Sequence, residues 1–214
     1  MFVSQWEVKL VKKHGSGFTL FELMVVILIF AVVAAFALPQ ALNAIKDYRL
    51  NADGTSIASM LNVARMQAAS QFAPYRVVIN VAAGTYWEEQ LCGNTPASVD
   101  PNCTSPYNPY STPRIVGGTQ YISQGDSFSS CRPTAISAYP GEIQADPNPC
   151  PDPLYIYFNT RGSPVSSTGN PVSNGGYVLY ITNSAQMTEA VTVAVGGAVS
   201  TWLWNSVSGN WSGS

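Results

Sequence analysis

One stretch limits what this chain can be. From Phe18 to Leu38 it reads FTLFELMVVILIFAVVAAFAL, and the sixteen residues from Leu23 to Leu38 carry no polar side chain. As a helix rising 1.5 Å per residue, the twenty-one residues reach roughly 32 Å, the thickness of a bilayer hydrocarbon core. Lys9, Lys12, Lys13 and His14 stand before the run, and the next basic residue after it is Lys46. Positive charge stays on the cytoplasmic side, so the N-terminus is expected inside and the C-terminus outside. A secretory signal peptide would be shorter and would carry its small residues beyond the apolar run, whereas Gly15-Ser16-Gly17 precede it. A plain signal anchor satisfies the hydropathy but leaves Glu22 unexplained. A carboxylate at mid-membrane costs about 2.5–3.5 kcal/mol on insertion scales, so Glu22 reads as functional and in need of a partner.

The rest of the chain has the composition of an exported domain. Only 10% of the residues are charged, against about 25% for an average soluble protein. The length suits one globular domain with appendages. Four cysteines, Cys92, Cys103, Cys131 and Cys150, lie among Pro, Asn and Ser, with neither C-x-x-C spacing nor a nearby histidine to make a zinc site. They are expected as two disulfides on the oxidising side, which agrees with the orientation from the flanking charges. Three pairings are open; the sequence-local ones, Cys92 with Cys103 and Cys131 with Cys150, are favoured because each closes a modest loop between strand candidates.

Past Pro39 the apolar positions Ala41, Leu42, Ala44 and Ile45, then Ile57, Met60, Leu61, Val63, Ala64 and Ala68, recur at helical spacing between polar residues. Asn51, Asp53 and Gly54 are poor helix formers and mark a place for a break, with Asp53 or Ser56 able to cap a restart. The helix is expected to end near Phe72, before Pro74. From there the period changes to two: Val77, Ile79 and Val81 begin a hairpin that turns at Gly84 into Thr85–Leu91. Further strands are expected over Arg114–Thr119, Leu154–Phe158, Tyr177–Thr182, Val191–Val195 and Val199–Trp204. Residues 92–113 and 123–153 read as loops pinned by the cysteines. The fold class is α+β, a long N-terminal helix packed on an antiparallel sheet.

Gly17 through Ile27, GFTLFELMVVI, resembles the class III leader junction of type IV prepilins and type II secretion pseudopilins. The resemblance implies the type IV pilin fold, a cut between Gly17 and Phe18 by a prepilin peptidase, and methylation of the new Phe18 amine. It implies that Glu22 pairs with the N-terminal amine of a neighbouring subunit during assembly, and that Pro39 kinks or locally melts the helix. The chain then divides into a cleaved cytoplasmic leader (1–17), a transmembrane and polymerisation helix (18–38), an amphipathic continuation (39–73) and a β-sheet domain (74–214). Residues 59–69, 156–162 and 191–197 are similar to the minor pilins and pseudopilins called GspH/FimT-like, although that family has shorter loops and an acid where Gln67 or Ala68 stands. The implied function is a minor subunit at or near the tip of a type IV pilus, with a type II secretion pseudopilin, a tip adhesin or a DNA-uptake subunit as alternatives. The implied partners are other pilin or pseudopilin subunits, the peptidase, an inner-membrane assembly platform and, before assembly, membrane lipid.

No catalytic chemistry is expected. The one histidine, His14, lies in the implied leader, which leaves no imidazole for a triad or a metal. Glu88 and Glu89 are adjacent, so on a strand they point to opposite faces and cannot flank one bond as a glycosidase pair does; both are expected on a solvated edge. Asp146, Asn148 and Asp152 share a loop, but the prolines between them fit no EF-hand spacing. No phosphate-binding glycine loop occurs, and no cofactor or metal is expected. Beyond Pro74 four arginines face eight acids, a net charge of −4, so nucleic acid is not an expected partner. Trp202 and Trp204 alternate onto one face and read as core.

Overall fold

The computed structural model describes residues 18–147 and 150–213. They fall into two compact units that divide between Leu42 and Asn43. The elements run α1 (Leu20–Gln71), β1 (Tyr75–Asn80), β2 (Thr85–Leu91), β3 (Pro109–Tyr121), β4 (Asp126–Ser129), β5 (Leu154–Phe158), β6 (Pro164–Val165), β7 (Gly176–Asn183), β8 (Thr188–Ala194), β9 (Val199–Asn205) and β10 (Asn210–Gly213).

In the first unit every described residue, from Phe18 to Leu42, is exposed. An apolar helix with no covered side is a lipid-facing or partner-seeking element, not a core helix. Pro39 lies inside α1. Its ring removes the N–H that would bond the carbonyl of Ala35, and the helix continues through it.

In the second unit α1 becomes one-sided. Leu50, Asp53, Gly54, Ile57, Leu61, Ala64 and Ala68 are buried, and apart from the adjacent pair Asp53 and Gly54 they follow three- and four-residue steps that line a single face. The break expected at Asn51–Gly54 does not occur. Asp53 and Gly54 are docking positions, and tertiary contacts outweigh a helix-propensity deficit of about 1 kcal/mol for Gly. The helix ends at Gln71, where Phe72 takes a positive φ of 51° ahead of Pro74.

The strands form two antiparallel five-stranded sheets rather than one: a first sheet ordered β3-β2-β1-β5-β6 and a second ordered β10-β9-β8-β7-β4. The helix-facing core draws on both. Tyr75, Val77, Ile79, Tyr86, Leu154, Ile156 and Phe158 come from the first sheet, and Phe128, Leu179, Ile181, Val191 and Val193 from the second. Fully buried Leu50, Ile57 and Leu61 each contribute about 1.5–3 kcal/mol to this packing.

The far face of the second sheet is covered as well. Ile143 and Tyr139, from the segment between Cys131 and Cys150, pack on Val178, Tyr180, Ala190, Trp202 and Trp211. Trp211 Nε1 donates to the carbonyl of Ala138 at 2.9 Å, and Trp202 Nε1 to Thr192 Oγ1 at 2.9 Å. Cys131 is bonded to Cys150, and Cys92 to Cys103.

Candidate functional site

The start of α1 is built by a short polar motif. Glu22 N donates to Thr19 Oγ1 at 3.2 Å, and Leu23 N donates to the Thr19 carbonyl at 3.2 Å. Thr19 is therefore the N-cap and Glu22 occupies the third helical position, the T-x-x-E spacing of a capping box. The motif stands in the sequence ahead of the apolar run, and reading Glu22 only as a membrane-embedded acid overlooks Thr19. The cap fixes Glu22 in the first turn, where the positive end of the helix dipole favours an anion. Among the described residues Glu22 has no ion-pair partner. Phe18 is 81% exposed, and Gly17, the other residue of the expected cleavage point, lies outside the described residues. Beyond the cap, Phe21, Met24, Leu28, Phe30, Phe36 and their neighbours present bare hydrocarbon. The arrangement can anchor in lipid or pack against like helices, and it offers one acid at its head.

A second group of polar residues sits where α1 meets the second sheet. Asp53 accepts from Ser123 N at 2.9 Å and from Ser123 Oγ at 3.0 Å, which ties the helix to the loop before β4. Asp126, on β4, is close enough to Asp53 for the two carboxyls to interact. Glu189, on β8, is 1% exposed, and neither of its carboxylate oxygens has a hydrogen-bond partner. Its carboxylate fills the space beside Gly54, where any side chain would overlap it. Burial, reinforced by the charge of Asp53, pushes the Glu189 carboxyl up to about 7. Burial first, then the shared bond and charge of Asp53, push Asp126 up to about 6 against the opposing pull of Arg49. None of Asp53, Gly54, Asp126 or Glu189 stands out as a site residue in the sequence; the one hint is two poor helix formers kept inside a helical pattern.

Glu88 and Glu89 are not on a solvated edge. Strand β2 lies between β3 and β1, and each glutamate is 3% exposed. They do point to opposite faces. Glu89 forms an ion pair with Arg76, whose guanidinium stacks 4.5 Å from the Tyr155 ring centroid. Glu88 shares the helix-facing side with its cross-strand neighbour Val77. One of its oxygens is without a partner, and burial raises its carboxyl to about 7.

The three segments that carry the GspH/FimT-like resemblance meet at Arg65. Its Nη1 donates to the Gly197 carbonyl at 2.8 Å, in the β8–β9 turn. Gly162, in the β5–β6 turn with φ of 73°, approaches the Arg65 carbonyl so closely that a Cβ there would lie 2.9 Å from it. One helical residue thus meets a turn of each sheet.

The loop acids are engaged separately. Asp146 accepts from Arg132 N at 3.0 Å and from Tyr139 Oη at 3.3 Å, while Asp152 accepts from Val81 N at 3.0 Å and Ala82 N at 3.3 Å. Asn148 lies outside the described residues. Among those described, no set of three acid, histidine or cysteine side chains is placed to hold a metal. Trp204 stacks edgewise on Trp211 at 5.3 Å between centroids.

Residues 12–38 match the prokaryotic N-terminal methylation motif, so the chain carries that motif across the leader junction and the apolar run. Comparison with curated proteins finds no match. Among solved structures the chain is similar to the minor pseudopilin EpsH from the type II secretion system of Vibrio cholerae. One structure of EpsH aligns at 13% identity and a TM-score of 0.43, covering 72% of this chain and 95% of that one. A crystal structure of the same protein aligns at 14% identity and a TM-score of 0.44, covering 73% and 94%.

Proposed function

We propose that the chain is a prepilin: a membrane-anchored precursor whose helix α1, after removal of residues 1–17, becomes the assembling element of a type IV pilus-like filament. The observation that carries this reading is the N-terminal methylation motif over residues 12–38, joined to a helix whose apolar side chains from Leu20 to Leu42 are all uncovered. The role is structural rather than catalytic, that of a minor subunit at or near the filament tip.

Before assembly the helix lies in the inner membrane, with the leader in the cytoplasm and the cysteine-bearing domain outside. Peptidase cleavage between Gly17 and Phe18 frees an amine one residue ahead of the Thr19 cap, and methylation of Phe18 leaves that amine charged. Glu22, held in the first turn, takes the corresponding amine of an adjacent subunit. In a low-dielectric helix bundle such a pair stands only when each charge offsets the burial cost of the other. The remainder of the helix moves from lipid into a bundle of similar polarity at little hydrophobic cost, drawn by the assembly platform.

Filaments purified from cells expressing Glu22→Ala test this pairing. Cleavage is expected to proceed normally while incorporation drops at least about tenfold, because an unpaired buried charge costs about 3–5 kcal/mol. Unchanged incorporation refutes the pairing. The location of the filament, on the cell surface or confined to the periplasm, separates a pilus from a type II secretion pseudopilus.

A further inference from the structure

We propose that the joint between α1 and the second sheet is a proton-operated latch, in which Glu189 and Asp126 hold the helix closed as neutral acids and loosen it when they ionise. The geometry leaves little alternative for Glu189. It projects from the helix-facing side of β8, level with Ile181 on β7 and Leu203 on β9, neither of which can donate a hydrogen bond. On the helix side it meets Gly54, and both of its oxygens are buried without a partner. A carboxylate anion in that position would have neither water nor a donor to replace its hydration.

The charged and titratable groups around it sharpen the point. From α1 come Asp53, whose carboxylate is held by Ser123, and Arg49, an exposed cation whose field reaches Asp126. From β4 comes Asp126, with its Oδ2 buried and unpartnered. From β2 comes Tyr86, whose hydroxyl pairs with Ser56 Oγ at 3.0 Å and which feels the Asp53 charge. Asp47, also on α1, accepts at 3.2 Å from Nδ2 of Asn183, the β7 residue paired with Asp126, so among these described groups one cation faces four carboxyls. With the Asp53 carboxyl bonded by Ser123, negative charges on Glu189 and Asp126 would be crowded into the same joint and repel each other, and only Asp126 has a cation within range. Closure therefore favours protons on Glu189 and Asp126, as their raised affinities for a proton also indicate.

A recess of about 300 Å³ beside the joint is lined by Ala82, Gly84, Ile122, Ser123, Gly125 and Asp126, and half-buried Asp126 lies at its edge. The fixed partner is Asp53, and the moving parts are helix residues 50–57 against β8 and β4.

The test is hydrogen exchange on the full chain in detergent micelles at pH 5.5 and 8.5, expressed as protection factors corrected for intrinsic exchange. The latch predicts that protection across residues 50–57 and β8 falls at least about tenfold at the higher pH, the effect of roughly one unit of proton-affinity difference between closed and open forms. Glu189→Gln, which keeps the shape and removes the charge, is expected to abolish most of that loss. Asp126→Asn, at a less buried position, is expected to abolish part of it and serves if the first variant does not fold. Equal protection of the unaltered protein at both pH values overturns the proposal. So does a loss that persists in the charge-free variants, or one that disappears in Glu88→Gln alone, which would place the sensitivity in the first sheet.

Discussion

The carboxylate of Glu189 occupies the space beside Gly54 that a side chain at position 54 would need. A strand residue far along the chain thus explains why a glycine is kept in the middle of α1. It also explains why alanine, the better helix former by about 1 kcal/mol, is not an improvement there. Gly54→Ala is expected to destabilise the globular unit by about 1–3 kcal/mol, the usual cost of overpacking a filled site. Adding Glu189→Ala to Gly54→Ala should recover much of that loss, so that the two changes couple by at least about 0.5 kcal/mol in a double-mutant cycle. Chemical denaturation of the four proteins reads the coupling, and strict additivity would show that the two positions do not touch.

Glu88 gives the clearest pH dependence in the first sheet. Its carboxyl is raised from an ordinary value near 4.5 to about 7, so the folded state holds its proton more tightly than the unfolded one. The stability linked to this proton is fully present below about 4.5 and is lost as pH rises through 7. Glu88→Gln removes the titration. The variant is expected to be more stable than the parent at pH 8.5, by about 1–2 kcal/mol after allowance for solvent screening, and close to it at pH 4. Denaturation midpoints at the two pH values check the sign, and a larger advantage at the acidic end would contradict it.

Much of this architecture is legible in the sequence, and what is hidden has a common cause. Thr85–Leu91, which opens on Thr-Tyr-Trp, and Leu154–Phe158, which is wholly aliphatic and aromatic, can be bounded from their own residues because such side chains favour strands and turn signals flank them. The apolar run and Glu22 are local features too. Strands β4 and β10 are four residues each, set among Ser, Asn and Gly, and only their pairing with β7 and β9 makes them strands. Thr188 and Glu189 look like the tail of a turn, and β8 includes them because Thr182 and Ile181 stand opposite. Glu88 and Glu89 suggest a wet edge because their surroundings are supplied by β1, β3 and the helix. Charge next to charge in one segment says nothing about Arg76 on the strand beside it. Gly54 and Asp53 mislead in the same way, since propensity is a local quantity and their role is set by β8 and the loop before β4.

The disulfide between Cys131 and Cys150 pins the segment that covers the far face of the second sheet. Its loop of 19 residues corresponds to about 3 kcal/mol of chain entropy in the unfolded state. Replacing both cysteines by serine is expected to lower stability by about 2–4 kcal/mol. It should also shift tryptophan emission to the red, because Trp211 rests on that segment through Ala138. A stability loss with no change in emission would mean that the segment stays in place without its bond.

Assembly through α1 requires a processed N-terminus at its head. Intact-mass measurement of the chain recovered from membranes of a host that contains the prepilin peptidase tests this most directly. The predicted result is a polypeptide beginning at Phe18 and carrying one added methyl group, with its four cysteines oxidised in pairs. A chain that retains residues 1–17, or that begins at Phe18 with an unmodified amine while the peptidase is active, would contradict it.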